Sequence, residues 1–354
     1  MAKKIKRILL TLAIFVFLLN ACGKKDEKKD PKDSEIIVSL LMDKFGTADG
    51  SINSKAYRGL LDLNVDTQIK IDYEVSKSDD DFEDSIEKLV KKGSKLIWGA
   101  GSQTSDAIKE ASYNYKDVRF ATLDNIYDDS SMPKNLTGTI FNTEESSYIL
   151  GYVAGLTTKT NKVAYLGGEK GILSDKNEFG FKAGVYDAAK ERKLKINVNS
   201  EYIGNFYDLE KGRALAKELY ESGIDIIFAD CGSGTLGAID EAKDQDKFLM
   251  VTEEALIKEA PDNILLASIK DYEEAINTIS SKFIAKNDIG KKNFELGFVD
   301  NCLSISPYDK ERKLFNSSVY DKAMNKKKDI SSGKKEIPYN QTSFEKFTSS
   351  NKSK

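Results

Sequence analysis

From residue 36 onward, short runs of strand-forming apolar residues alternate with stretches of helical hydrophobic spacing, and no other feature of this 354-residue chain limits its fold so much. Strands are expected at 36–42, 69–75, 96–98, 118–123, 136–141, 163–166, 195–202, 224–229, 248–251 and 264–269. Helices are expected at 52–63, 82–90, 104–113, 144–156, 179–190, 209–221, 272–285 and 319–330, with one more after the glycine turn at 232–237. The first strand, IIVSLLM, is almost wholly apolar, as a parallel strand covered on both faces has to be. Strands separated by helices of this length need crossover connections, so the sheets are mainly parallel. About nine such units overfill one sheet. The expected fold class is α/β, with two doubly wound lobes around a ligand cleft. One lobe is expected from 36–142 plus about 265–292 and the other from 143–264 plus about 293–339, followed by a frayed polar tail at 340–354.

In open parallel sheets, ligands sit beyond the carboxyl ends of the strands. Those ends carry this chain's polar residues and glycines: Asp43, Gly99 to Ser102, Asp124, Gly167-Gly168, Gly232 to Gly237 and Glu253-Glu254. Two such edges facing each other would enclose a cleft.

The first 22 residues follow a different logic. Lys3, Lys4, Lys6 and Arg7, an apolar run from Ile8 to Leu19 and the exit Leu19-Asn20-Ala21-Cys22 make a secretion signal whose run is too short to be kept as a spanning helix. A cysteine at the cleavage point is what bacterial lipoprotein processing requires, because its thiol receives the lipid and it becomes the new N-terminus. An ordinary signal peptide with an incidental cysteine is the plainer alternative. Gly23 to Ser34 is mostly Lys, Asp and Glu without a large apolar side chain, so 23–35 reads as a solvated tether. The body is then expected on the extracytoplasmic face of the cell membrane, held by the lipid on Cys22.

Composition excludes several chemistries. There is no histidine, which removes His-based triads, His general acid/base work and the usual zinc or non-haem iron ligand sets. No metal and no cofactor are expected. A net charge of -3 without a basic stripe interleaved with aromatics argues against a nucleic-acid partner. Beyond Cys22 only Cys231 and Cys302 remain, each in an apolar strand context; they pair, or they are two buried thiols.

The candidate sites each have a plain structural alternative. Gly232-Ser233-Gly234-Thr235-Leu236-Gly237 is a literal G-x-G-x-x-G between a strand and a helix, with Glu253 and Glu254 about twenty positions on, which is the pattern of a dinucleotide fingerprint. Its alternative is a tight strand-to-helix turn where glycine lets the backbone approach closely. Asp49 to Ser54 opens the first helix, so Asp49 or Ser51 either caps it or points into the cleft. Asp124 is a turn former or a ligand-accepting carboxylate. Phe206 is core or a stacking platform, and Lys270 is a solvated strand end or a cleft cation.

Several segments in fixed order resemble the basic membrane protein (BMP) family of substrate-binding lipoproteins, whose best-known members are purine-nucleoside receptors of ABC importers. DGSINSKAYRGL at 49–60 is similar to the family's D-x-S-F-N-x-x-A-[WY]-x-G-L, and the run at 144–155 to its E-G-S-[FY]-L-x-G-x-x-A. KVAYLGG at 162–168, the stretch 178–185, the glycine turn at 232–237 and SGKKEIP at 332–338 resemble further family segments. The resemblance implies a type I periplasmic-binding-protein fold closing on a solute, most simply a nucleoside, and delivery to ABC permease subunits. It also implies roles: Asp49 and Asn53 bonding from the first helix with Asp43 nearby, Asp124 accepting from base nitrogens, and Phe206 stacking on the base. Gly234 would allow close approach, and Lys270 would hold a sugar hydroxyl or a neighbouring carboxylate. Two departures stand out. Ile52 replaces the signature Phe, and the family's G-V-D-x-D-Q is here Val251-Thr252-Glu253-Glu254, so a ribose-binding acid would fall on Thr252 or on Glu253 or Glu254. Two rival functions remain open: an extracytoplasmic enzyme using paired carboxylates such as Glu253 and Glu254 or Asp43 and Asp49, and a surface antigen or sensor that keeps the fold without transport.

Overall fold

The computed structural model of the protein describes residues 36–49, 52–67 and 69–350. The expected signal segment, Cys22 and the tether lie outside them. Twelve strands form: β1 Ile37–Met42, β2 Lys70–Val75, β3 Leu96–Gly99, β4 Arg119–Thr122, β5 Leu136–Phe141, β6 Lys162–Gly167, β7 Asn197–Tyr202, β8 Ile226–Asp230, β9 Phe248–Val251, β10 Ile264–Lys270, β11 Lys292–Leu296 and β12 Leu303–Ile305. Ten α-helices lie among the described residues: α1 Ile52–Thr67, α2 Phe82–Lys91, α3 Ser105–Asn114, α4 Thr143–Thr157, α5 Ile172–Arg192, α6 Leu209–Glu221, α7 Gly234–Asp244, α8 Tyr272–Ile284, α9 Ser317–Ser331 and α10 Gln341–Ser350.

The strands divide into two six-stranded sheets, ordered β11-β5-β4-β3-β1-β2 and β12-β10-β9-β8-β6-β7. Every pairing is parallel except β10 with β12. The central strands are buried along most of their length, which explains their continuous apolar sequences. Apolar clusters cover both faces of both sheets, and the largest runs through both lobes by way of α4 and α5.

The chain leaves the first sheet at Asn142, returns at Asp271 after β10, and crosses again through 297–302 between β11 and β12. These crossings are bonded to one another, since Asn142 N donates to Leu296 O at 2.8 Å and Asp271 N to Cys302 O at 2.9 Å. Two expected boundaries are corrected here. β10 belongs to the second sheet and β11 to the first, because each crossing falls a few residues later than the apolar pattern placed it. β11 and β12 were not expected at all; KNFEL and LSI are too short and too weakly patterned to read as strands.

The tail is corrected as well. Residues 341–350 form a helix, and its Phe344 and Phe347 rings pack against Phe179 and Tyr186 of α5. α5 itself begins at Ile172 rather than 179, since its first turns are polar for a reason given below.

α4 and α5 approach unusually closely. A Cβ on Gly184 would stand 2.0 Å from the Tyr148 carbonyl oxygen, and one on Gly151 equally near that of Phe181. We therefore expect Gly184→Val to lower the unfolding free energy by about 3 kcal/mol or more through overpacking, measured by urea denaturation. Gly171→Ala, where a Cβ meets nothing within 4 Å, should cost less than about 1 kcal/mol.

Candidate functional site

The carboxyl ends of β3 and β4 in the first sheet, and of β8, β9 and β10 in the second, open onto one cavity of about 410 Å³. A groove of about 800 Å³ adjoins it and shares Lys55, Thr252, Glu253, Lys270 and Tyr272. Strand ends from both sheets meet only in the smaller one, which is therefore the candidate site.

Asp124 dominates it. The residue follows β4 with φ of +55°, a left-handed conformation that Asp tolerates better than most side chains. Lys270 Nζ, at the end of β10, donates to both Asp124 oxygens at 3.0 Å, and the Tyr272 hydroxyl donates to Oδ2 at 2.6 Å. A side chain of the second sheet is thus clasped to one of the first. Burial drives the Tyr272 pKa well above its usual value, so its phenol remains a donor. Lys270 also stands 5.6 Å from the centre of the Phe141 ring.

The other expected residues divide sharply. Phe206 sits on the loop between β7 and α6, 47% exposed, and lines the cavity, as does Glu253. Asp43 and Asn53 stand behind the wall. Asn53 Nδ2 donates to Asp43 Oδ1 at 2.7 Å and Gln103 Nε2 to Asp43 Oδ2 at 2.9 Å, so their visible effect is to hold Gln103, which does line the cavity. The side chain of Asp49 lies outside the described residues. Gly234 is not at the cavity at all: it opens α7, where a Cβ would meet Ile203 and the Cys231 sulfur, and its carbonyl sits against Gly212 of α6. Gly237 likewise faces the Leu209 carbonyl. The G-x-G-x-x-G pattern is accounted for by the tight α6–α7 crossing. Cys231 and Cys302 are both free and buried, each with its thiol pushed up to about 12 by desolvation.

Sequence reasoning missed much of the second lobe's wall. Ser174 and Asn177 come from the polar first turns of α5, and Thr143 opens α4. Asp230 ends β8, one residue past the strand expected at 224–229. The Asn177 amide donates to Asp230 Oδ2 at 2.6 Å and the Tyr165 hydroxyl to the same oxygen at 2.9 Å. Among the described residues, Thr143 Oγ1 and Asn53 Oδ1 are buried without a hydrogen-bond partner. The first turns of α5, ILSDKNE, carry no periodic apolar face, so no signal in the sequence singled out Asn177.

A buried ion pair sits at the first crossing, one residue from Thr143. Lys176 Nζ lies 3.1 Å from Glu144 Oε2, accepts no water-facing position, and reaches Asn142 Oδ1 at 3.1 Å and Glu295 of β11 at 3.6 Å. Desolvation raises the Glu144 pKa to about 7 against the opposing pull of the Lys176 ammonium. Glu145 beside it is raised too, again by burial. Among the described residues no cluster of His, Cys, Asp and Glu suits a metal ion.

With this geometry in place, the comparisons with known proteins are consistent. A family model described as ABC transporter substrate-binding protein PnrA-like matches residues 36–341. Basic membrane protein A of Borreliella afzelii is 33% identical over 321 residues, covering 88% of this chain and 94% of that one. Basic membrane protein A of Borreliella burgdorferi is 33% identical over 354 residues, covering 97% and 98%. Among solved structures, an ABC transporter solute-binding protein from Aeropyrum pernix K1 superimposes with a TM-score of 0.69 at 16% identity, over 88% of this chain and 96% of that one. The Lac repressor does so with a TM-score of 0.51 at 12% identity, over 82% and 86%. At such identities the structural likeness shows the fold alone.

The ion pair at the crossing yields a pH prediction. Between about pH 5 and 7 the unfolded Glu144 carboxyl has released its proton while the buried one keeps it. Stability should therefore fall as pH rises through that window, by about 1.4 kcal/mol for each unit in which the two states differ by one proton. We expect Glu144→Gln to remove most of this slope, leaving the smaller part due to Glu145, in urea denaturation at pH 5, 6 and 7.

Proposed function

This chain belongs to the Bmp family of PnrA-like ABC transporter substrate-binding proteins, and on that basis we propose that it is a lipid-anchored receptor capturing a purine nucleoside or a related small polar solute for ABC permease subunits. The observation that carries the reading is the pairing of Asp124, with its Lys270 and Tyr272 donors, and the half-exposed ring of Phe206 in a cavity walled by both lobes. A planar base with ring N–H groups satisfies both at once: the carboxylate accepts, and the ring stacks for about 1 kcal/mol beyond its area. Ile52 lines the same cavity. It offers apolar contact where the family signature has an aromatic, so the base is held by one stacked face.

The site is built for holding rather than for chemistry. Both oxygens of Asp43 are occupied by Asn53 and Gln103, and both of Asp124 by Lys270 and Tyr272, so each carboxylate is engaged by protein donors rather than set against a reacting group. Glu254 borders only the outer groove, so it does not form a catalytic pair with Glu253 across the cavity. Closure would come from rotation about the three crossings, with the permease engaging the closed form. None of the described helices is long and apolar enough to cross a membrane. The lipoprotein-type signal ending at Cys22 supports the reading of a receptor held by lipid on the extracytoplasmic face.

Calorimetry on the chain from residue 23 should show saturable binding of inosine, guanosine or adenosine, with intact ligand recovered after denaturation. Recovery of free base would favour a hydrolase, and absence of heat with every nucleoside would remove the ligand assignment. Asp124→Ala should weaken binding by about tenfold or more, the usual loss for a hydrogen bond to a charged group, without a collapse in Tm.

A further inference from the structure

The strands of the first sheet begin in a row of cations, at the ends away from the cavity. Lys70 opens β2, Lys95 directly precedes β3, Arg119 opens β4, Lys134 stands just before β5 and Lys291 directly before β11. Backbone bonds fix the row. Lys70 N donates to Ile36 O at 3.0 Å, Lys95 N to Ile37 O at 2.8 Å, Arg119 N to Lys95 O at 2.9 Å and Lys291 N to Leu136 O at 2.7 Å. Two grooves at this edge, of about 540 and 490 Å³, share Arg119 and Lys134. Ile36, Phe283 and Ile284 line the first, so apolar surface lies among the cations. Acids are few here: Asp288 lies 3.5 Å from Arg119, and Asp117 lines the second groove. Among the described residues, no carboxylate pairs with the ammonium of Lys95, Lys134 or Lys291. Helix dipoles do not account for the row, because Lys134 lies in a connection without a helix and Lys291 well past the end of α8.

A cationic edge on a chain of net charge -3 fits an anionic partner, and the sequence indicates which one. Ile36 stands in this row, and only residues 23–35 separate it from Cys22. Whatever their conformation, so few residues reach at most about 50 Å. The lipid reading of Cys22 therefore ties this edge, rather than the cleft at the strands' other ends, to a bilayer. We propose that the amino-terminal edge of the first sheet docks on the anionic phospholipid surface of the membrane, an inference that rests on the lipid-anchored reading for what brings that surface within reach. Lysines are suited to the task, since their long stems lie along apolar surface while the ammonium groups meet phosphates. A six-residue strand is about 20 Å long, so docking by this edge keeps the cavity off the bilayer and open to solute.

The test separates docking from lipid attachment. The chain from residue 23 contains the whole compact unit Ile36–Lys354 and lacks Cys22. It is sedimented with phosphatidylcholine vesicles, with or without about 30% phosphatidylglycerol. Wild type should bind the anionic vesicles at least tenfold more tightly than the neutral ones, and about 0.5 M salt should remove the difference. Lys95→Glu, Lys134→Glu and Lys291→Glu together should weaken anionic binding at least tenfold. The matched set Lys159→Glu, Lys195→Glu and Lys217→Glu, exposed lysines of the second lobe, should weaken it less than threefold. If the first variant does not fold, acetylation of wild type on the vesicles decides instead: Lys95, Lys134 and Lys291 should be shielded while Lys195 and Lys217 react as in solution. Equal binding to both kinds of vesicle, no binding to either, equal losses in the two variants, or uniform acetylation overturns the inference. Lipid on Cys22 is read independently, from the mass of the N-terminal peptide of the full chain made in a bacterium, so each reading can fail alone.

Discussion

The chain passes between its two sheets three times, and everything at the site depends on that constraint. A single linker would leave two parallel sheets free to drift. Three crossings, the third hydrogen-bonded backbone to backbone with each of the other two, turn the carboxyl ends of both sheets toward one space. The polar residues that parallel strands leave at those ends then have only one place to go. The cavity is a consequence of topology before it is a matter of side chains.

Electrostatics refines what topology encloses. Asp124 and Lys270 belong to different sheets, so their ion pair joins the lobes directly. Both groups are partly shielded from water, where such a pair is screened less than at a free surface. At the first crossing, Lys176 and Glu144 form a second pair that is almost wholly buried. A buried pair of this kind contributes little net stability when intact but is costly to split. It therefore holds α5 to the first crossing.

Much of the fold was legible because buried parallel strands are continuously apolar and edge strands such as β2 alternate, and the ten strands expected from these patterns all formed. What escaped notice lacked that signal. β11 is a half-exposed edge strand and β12 an edge strand of three residues, and their existence moved both lobe boundaries. The C-terminal helix carries Phe344 and Phe347 in a polar background, and only the Phe179 and Tyr186 rings on α5 make that spacing useful. Of the residues lining the cavity, Asp124, Phe206, Glu253 and Lys270 were expected because they follow strands and stand in family-like segments. Asp230 was not, since a single acid closing an apolar strand looks like an ordinary strand end. Gly234 misled for the opposite reason: close helix packing and close ligand approach both require glycine, and sequence alone cannot separate them.

Hydrogen exchange read by mass spectrometry, with and without saturating inosine, asks most directly whether both halves grip one guest. Clamping predicts slower exchange at 101–104, 123–127, 205–208 and 252–254 together, since these segments from both lobes surround the cavity. Protection confined to one lobe, or none at a concentration where inosine is bound, would contradict it.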